Sequence, residues 1–210
     1  MGWLSGLIGS PDHSLLTKGE LARGNILSVR GKGMTIQVMN GLVERKCDLE
    51  VRVYRNGQQP YDAVASQRVQ EVYIPQLASG DSWVAVRVDP ANPARIAIDF
   101  GEPVPEVQLA ASTGTDNAAW ILANGSPVEA VVVQAQKLGM KGPQGDDVYA
   151  LSLTIEATGE QPYSVQVGNS VPASALPKLY PGSRLPARRG TDTTDIVIDF
   201  AAASASGSSA

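Results

Sequence analysis

Apolar and polar residues alternate along this chain in short bursts, and the bursts come in two matching sets. Leu49-Glu50-Val51-Arg52-Val53 alternates with a period of two, and so does Leu151-Ser152-Leu153-Thr154-Ile155. That period predicts half-buried strands. Ile26–Val29 and Val131–Val133 begin the first strand of each set. Tyr61–Ala65 and Tyr163–Val167 are third strands. Each is entered through a proline, Pro60 or Pro162, which fits a strand entry or edge because it has no N–H to give to a ladder. Trp83–Val88 and Ile96–Ile98 supply a fourth and fifth strand. Between the third and fourth strands, Val69–Gly80 and Val171–Gly182 read as one or two helical turns, with proline near the start and glycine at the end.

The two sets are copies of one another. Gly57-Gln58-Gln59-Pro60-Tyr61 returns as Gly159-Glu160-Gln161-Pro162-Tyr163. Val69, Pro75, Leu77 and Gly80 return at equal spacing as Val171, Pro177, Leu179 and Gly182. Ile96-Ala97-Ile98-Asp99-Phe100 closes the first set and Ile196-Val197-Ile198-Asp199-Phe200 the second. A repeat this long is a small domain rather than a solenoid unit. The chain therefore divides into an N-terminal arm (1–16), a first repeat (17–100), a linker (101–117), a second repeat (118–200) and a tail (201–210). The tail holds only Ala, Ser and Gly, which predicts disorder. Three strands, a short helix and two more strands predict an all-β protein of two tandem five-stranded small barrels. They are OB-like, with an SH3-like barrel as the rival.

The copies are unequal. Aligning Leu185–Arg189 with Trp83–Arg87 puts Pro186 and Arg188 where Val84 and Val86 stand. That predicts an edge strand, or a solvated face, in the second copy. The first hairpin is longer in the first copy, and Gly33-Met34 and Gly139-Met140 mark the two hairpins.

The strand-turn-strand ending from Gly80 to Asp99 contains Val88-Asp89-Pro90-Ala91-Asn92-Pro93. With the Pro-Tyr strand and the Pro-x-Leu-x-x-Gly turn, it resembles a group of uncharacterised bacterial duplicated small β-barrel domains. The resemblance covers most of both copies and implies an OB-like fold. It brings no activity, and the second copy has Gly190–Thr194 in place of the Asp-Pro-x-x-Pro turn.

Composition narrows the chemistry. The chain has 210 residues, one histidine, one cysteine and a net charge of −4. His13 lies outside the repeats, so no Ser-His-Asp or Cys-His arrangement is evident. One His and one Cys cannot close a zinc site. Gly31-Lys32-Gly33 lacks the hydroxyl residue of a phosphate loop. Gly142–Asp147 reads as an acidic hairpin tip. Asp99 and Asp199 recur at strand ends, where a local capping role explains them. Cys47 precedes an alternating run and reads as a structural thiol. No catalytic residue, cofactor or metal site is expected, and the protein is read as not an enzyme.

Charge is unevenly spread: residues 17–100 balance at +2 and residues 101–210 at −5. Opposite fields steer association. The expected function is a non-enzymatic binding or assembly protein acting through protein–protein contacts, including self-association. Trp3, Trp83, Arg87, Arg188 and Arg189 are the candidate contact residues. Two other readings are single-stranded nucleic-acid binding by the first barrel and membrane-surface association through residues 1–9. Low aromatic content, 5%, argues against stacking platforms for nucleic acid. Without a membrane span or a basic leader, the sequence reads as cytoplasmic.

Overall fold

The computed structural model describes residues 13–37, 41–80, 82–111 and 118–205. The chain divides into two compact units, 1–107 and 108–210. Each is built on an antiparallel sheet, so the protein is all-β in two tandem units. The first unit holds β1 (Glu20–Gln37), β2 (Val43–Tyr54), β3 (Tyr61–Gln70), β4 (Ser82–Val88) and β5 (Ile96–Asp99). A two-residue strand, β6 (Val107–Gln108), is followed by β7 (Ser126–Lys141), β8 (Asp147–Glu156), β9 (Tyr163–Val171), β10 (Arg184–Arg189) and β11 (Ile196–Ile198). Among the described residues there are four short α-helices, α1 (His13–Lys18), α2 (Ile74–Leu77), α3 (Ala118–Asn124) and α4 (Phe200–Ala205), and two 3-10 helices, Glu71–Tyr73 and Ala173–Lys178.

The strand order is β3-β2-β1-β4-β5 in the first sheet and β11-β10-β7-β8-β9 in the second, with β6 on β7. In both, the fourth strand returns to lie beside the first, which is a Greek key. The OB fold is a five-stranded, partly open Greek-key barrel, so the order matches the OB-like expectation. The first strands start earlier than expected, at Glu20 and Ser126. Ala22 and Gly24 face inward there and are too small to show as an alternating run.

Alternation on β2 and β8 buries one row each. Leu49, Val51 and Val53 are fully buried in the first core, and Leu151, Leu153 and Ile155 in the second. Between β3 and β5, the seam is bridged by a side chain. Gln67 accepts from the Ile98 N–H at 2.9 Å and donates to the Ile98 carbonyl at 3.4 Å. In the second unit Asn169 accepts from the Ile198 N–H at 3.2 Å. A short amide on the third strand thus does the work of a ladder.

The repeated Pro-Tyr pair has a matching cause. The Tyr61 hydroxyl donates to the Pro93 carbonyl at 3.0 Å, and Tyr163 donates to Thr193 at 3.0 Å. Each tyrosine pins the start of the third strand to the last turn. The Gly-Met pairs have one too. Gly33 (φ 73°) and Gly139 (φ 66°) fall inside register shifts of the first hairpins. A bulge with a left-handed residue favours glycine.

Strand β10 is no edge: it pairs with β7 on one side and β11 on the other. The expectation failed by a register slip. Val84 pairs with Gly24, and Leu185 pairs with Ala130. Gly24 and Ala130 are equivalent, since each lies two residues before the first bulge shift, at Ile26 and Val132. Leu185 therefore matches Val84, and Ala187 matches Val86. The turn before β10 is one residue shorter than the turn before β4, and a one-residue slip exchanges the faces of a strand. Pro186 and Arg188 match Ala85 and Arg87, on the outer face.

Order also continues past Phe200, where composition predicts none. Ala203 is buried at 5% exposure against the second core. Asp199 caps α4, accepting from the Ala202 N–H at 2.9 Å. Asp99 accepts from the Gly101 N–H at 3.2 Å, so both recurring aspartates serve local turns. Residues 206–210 lie outside the described set.

Candidate interaction site on the first hairpin

The two first hairpins differ at their tips. In the first unit, β3 ends at Gln70, opposite Glu44. Val43 continues the inward row of Cys47, Leu49 and Val51, but there is no longer a third strand to enclose it. It is 36% exposed, with Leu42 at 42% and Ile36 at 45%. Gly41 takes φ 74°, turning the chain into β2. Ile36 pairs with Glu44 and Val43 with Gln37, so Ile36 and Val43 stand on opposite faces, and both faces of the hairpin end carry an exposed aliphatic side chain open to contact.

Ion pairs hold the stem of this hairpin. Lys32 pairs with Asp48 at 2.9 Å, and Arg45 with Glu71 at 3.0 Å. The Ser66 hydroxyl donates to the other Asp48 oxygen. Hydrogen bonds from Ser66 and Lys32 hold the Asp48 carboxyl below the usual carboxylate range. These pairs are exposed and contribute little stability each, but they fix direction.

The corresponding tip of the second unit is polar. The Gly142 N–H donates to the Asp146 carbonyl at 2.8 Å, and Gly145 (φ 90°) closes the turn on Gly142. Asp147 receives Lys137 at 2.8 Å and Lys141 at 2.6 Å, so its charge is met inside the chain. Sequence reading noted the longer hairpin but did not name Ile36, Leu42 and Val43. The signal was present: this is the stretch where apolar residues run to the tip instead of giving way to Gly, Pro and Asp.

The residues singled out from sequence sit elsewhere. Trp83 is half-buried, with the Arg23 guanidinium 4.5 Å above its ring and Tyr54 at a centroid distance of 5.6 Å. Arg23 is 8% exposed and donates to the Pro105 carbonyl at 3.1 Å. Burial pushes the Arg23 guanidinium down and the Tyr54 phenol up. Arg87 meets Asp99 at 3.1 Å and Glu102 at 3.3 Å. In the second unit, Arg188 donates to the Gly125 carbonyl at 3.2 Å. Arg189 forks onto Glu160 at 2.6 and 2.8 Å. That fork, with Tyr163 beside it, raises the Arg189 guanidinium above its ordinary value. Trp3 lies outside the described residues.

On the first sheet, Arg52 forks onto Asp62 at 2.8 and 3.0 Å across β2 and β3. The hydrogen bond from Arg52 holds the Asp62 carboxyl below its ordinary value. A depressed carboxylate stabilises the fold above its unfolded pKa, and the benefit is lost as pH falls through the folded one. Replacing Arg52 with methionine should move the Asp62 titration upward, as read by carboxyl NMR. The variant should also lose less stability on acidification than the parent. An unmoved Asp62 titration would show that the fork is not made in solution.

Little else resembles a reaction centre. Cys47 is fully buried, and burial pushes its thiol up. A shallow depression of about 270 Å³ on the second unit is lined by Val133, Ser152, Leu153, Ser164, Val165 and Gln166, none of them titratable. Among the described residues, no three His, Cys, Asp or Glu are grouped to hold a metal, and no helix is long and apolar enough to cross a membrane. No protein family, curated protein or solved structure matches the chain.

Proposed function

We propose that this is a non-enzymatic assembly protein that meets a protein partner through the tip of its first hairpin. The observation that carries the reading is the contrast between copies. One fold places an apolar tip of Ile36, Leu42 and Val43 on the first unit and a closed polar turn on the second. Turn and core chemistry recur because the fold needs them. An exposed aliphatic tip has no such need, and its burial would come from a partner. The uneven charge, +2 against −5, adds electrostatic steering toward a partner of mixed character.

The nucleic-acid reading is the weaker one for the described residues of the first unit. The half-buried Trp83 has Arg23 over its ring, so it offers no open platform for a base.

The test compares the full chain with Leu42→Ser/Val43→Ser in parallel capture and sedimentation experiments. Both positions are exposed, so the fold should survive. Retention of the partner is expected to drop at least about tenfold, since two buried aliphatic contacts are each worth about 1–2 kcal/mol. Equal retention by both chains would sink the reading. A parallel anisotropy titration with a labelled single-stranded oligonucleotide should show no affinity that weakens with salt.

A further inference from the structure

Asparagine followed by glycine is prone to a spontaneous backbone reaction. Glycine has no Cβ, so its amide nitrogen stands open to the carbonyl of the preceding side chain. The chain holds three such pairs, Asn40-Gly41, Asn56-Gly57 and Asn124-Gly125. Asn40 lies outside the described residues. Asn56 and Asn124 are both exposed, so access of water does not separate them. Their backbone settings do.

Asn124 is the last residue of α3. The Gly125 N–H donates to the Ile121 carbonyl at 2.7 Å, and Asn124 Nδ2 donates to the Trp120 carbonyl at 3.0 Å. The nitrogen that would attack and the amide that would leave are both tied into the helix end. Reaction there needs that end to open first.

Asn56 and Gly57 instead form the tip of the β2–β3 hairpin. The Gln58 N–H donates to the Arg55 carbonyl at 3.2 Å and closes the turn around them. Gly57 takes φ 66°, and among the described residues nothing lies within 4 Å of where a Cβ on it would stand. The second unit makes the same turn without the amide. Gly159 (φ 82°) matches Gly57 and Thr158 matches Asn56, with the Glu160 N–H donating to the Ala157 carbonyl at 3.1 Å. The hairpin therefore closes without an asparagine.

We propose that Asn56-Gly57 is a self-modifying site, at which the first unit gains a carboxylate. The Gly57 nitrogen attacks the side-chain carbonyl carbon of Asn56 and forms a new N–C bond. Its proton passes to solvent, and the side-chain nitrogen leaves as ammonia. Water, the only co-reactant, then opens the cyclic imide. Attack at the side-chain carbonyl gives aspartate; attack at the backbone carbonyl gives isoaspartate, in which the chain runs through the former side chain. Either product places a negative charge beside Arg55, which pairs with Glu20. It also lowers the charge of residues 17–100 by one from +2, weakening the contrast with the second half. Isoaspartate further adds a backbone atom to the turn that sets the pairing of Val53 with Tyr61.

Incubation of the full chain in mildly alkaline heavy-oxygen water, followed by peptide mapping, tests this. The peptide holding Asn56 is expected to gain a labelled oxygen and to yield both aspartate and isoaspartate. Label should enter at Asn56 at least about tenfold faster than at Asn124, where opening must come first. In Asn56→Thr, which copies the second unit, the same peptide should take up none. No label at Asn56, or equal rates at Asn56 and Asn124, overturns the proposal. Label persisting in the Asn56→Thr peptide would place the reaction at another residue and overturn the assignment. Label that enters Asn56 only in denaturant would assign the reaction to the unfolded chain and overturn it equally. The outcome does not depend on the partner reading, which is tested at Leu42 and Val43.

Discussion

Gln67→Leu is expected to destabilise the first unit by about 2–4 kcal/mol. The leucine keeps the volume but makes neither hydrogen bond to Ile98. Two backbone groups are then left without partners at a buried position, and each costs about 1–3 kcal/mol when unsatisfied. Water entering the seam should relieve part of that. Asn169→Leu removes one hydrogen bond, from the Ile198 N–H, and should cost about half as much. Urea unfolding followed by resolved NMR signals from each unit gives the comparison, because the two units need not unfold together. If the two variants lose equal stability, or Gln67→Leu loses under about 1 kcal/mol, the seam is not held as described.

Gly24→Ala comes next in size, at about 1–3 kcal/mol from overpacking. A Cβ at Gly24 would sit 2.5 Å from a Val86 methyl and 2.7 Å from a Val51 methyl. Valine is stiff at χ1, so neither methyl can swing away cheaply. The second unit shows the natural remedy. Ala130 occupies the equivalent of Gly24, and Ala187 the equivalent of Val86. Val86→Ala alone opens a cavity and should cost about 2 kcal/mol. The double variant should lose at least about 1 kcal/mol less than the two single losses together. Strict additivity would mean that the two positions do not compete for the same space. Val51 remains in the way, so rescue should be incomplete.

The sequence showed the all-β class and the duplication because both depend on local signals. Period-two runs such as Leu49–Val53 and turn residues such as Gly57 and Gly159 carry their meaning within a few positions. The start of β1 was hidden because Ala22 and Gly24 are inward residues without apolar bulk. The fate of β10 was misread because one residue was lost from the preceding turn, and pairing with β7 and β11 is not a local property. The tail was read from composition alone, yet Asp199 caps it into a helix. Among the candidate contacts, Arg87, Arg188 and Arg189 stood out as charges. Only the fold shows that Asp99, Glu160 and the Gly125 carbonyl answer them. The hairpin tip is legible as a difference in length between copies and as a run of apolar residues, but their exposure depends on where β3 ends, which is not a local property.

The central position of β1 has a consequence for how the chain assembles. Its β2 side fills at once, through a hairpin. Its other side waits for β4, with Glu20 meeting Val88 across 68 residues. Pairing at such sequence separation slows folding, and a nascent chain holding two copies offers two waiting strands and two late strands. Exchange between the copies is the expected error. The fourth strands have diverged in a way that opposes it. Arg189 stands where Val88 is wholly buried, and a swapped β10 would drive that guanidinium into the first core, away from Glu160. Divergence between the repeats thus acts as a proofreading device, keeping each late strand for its own barrel.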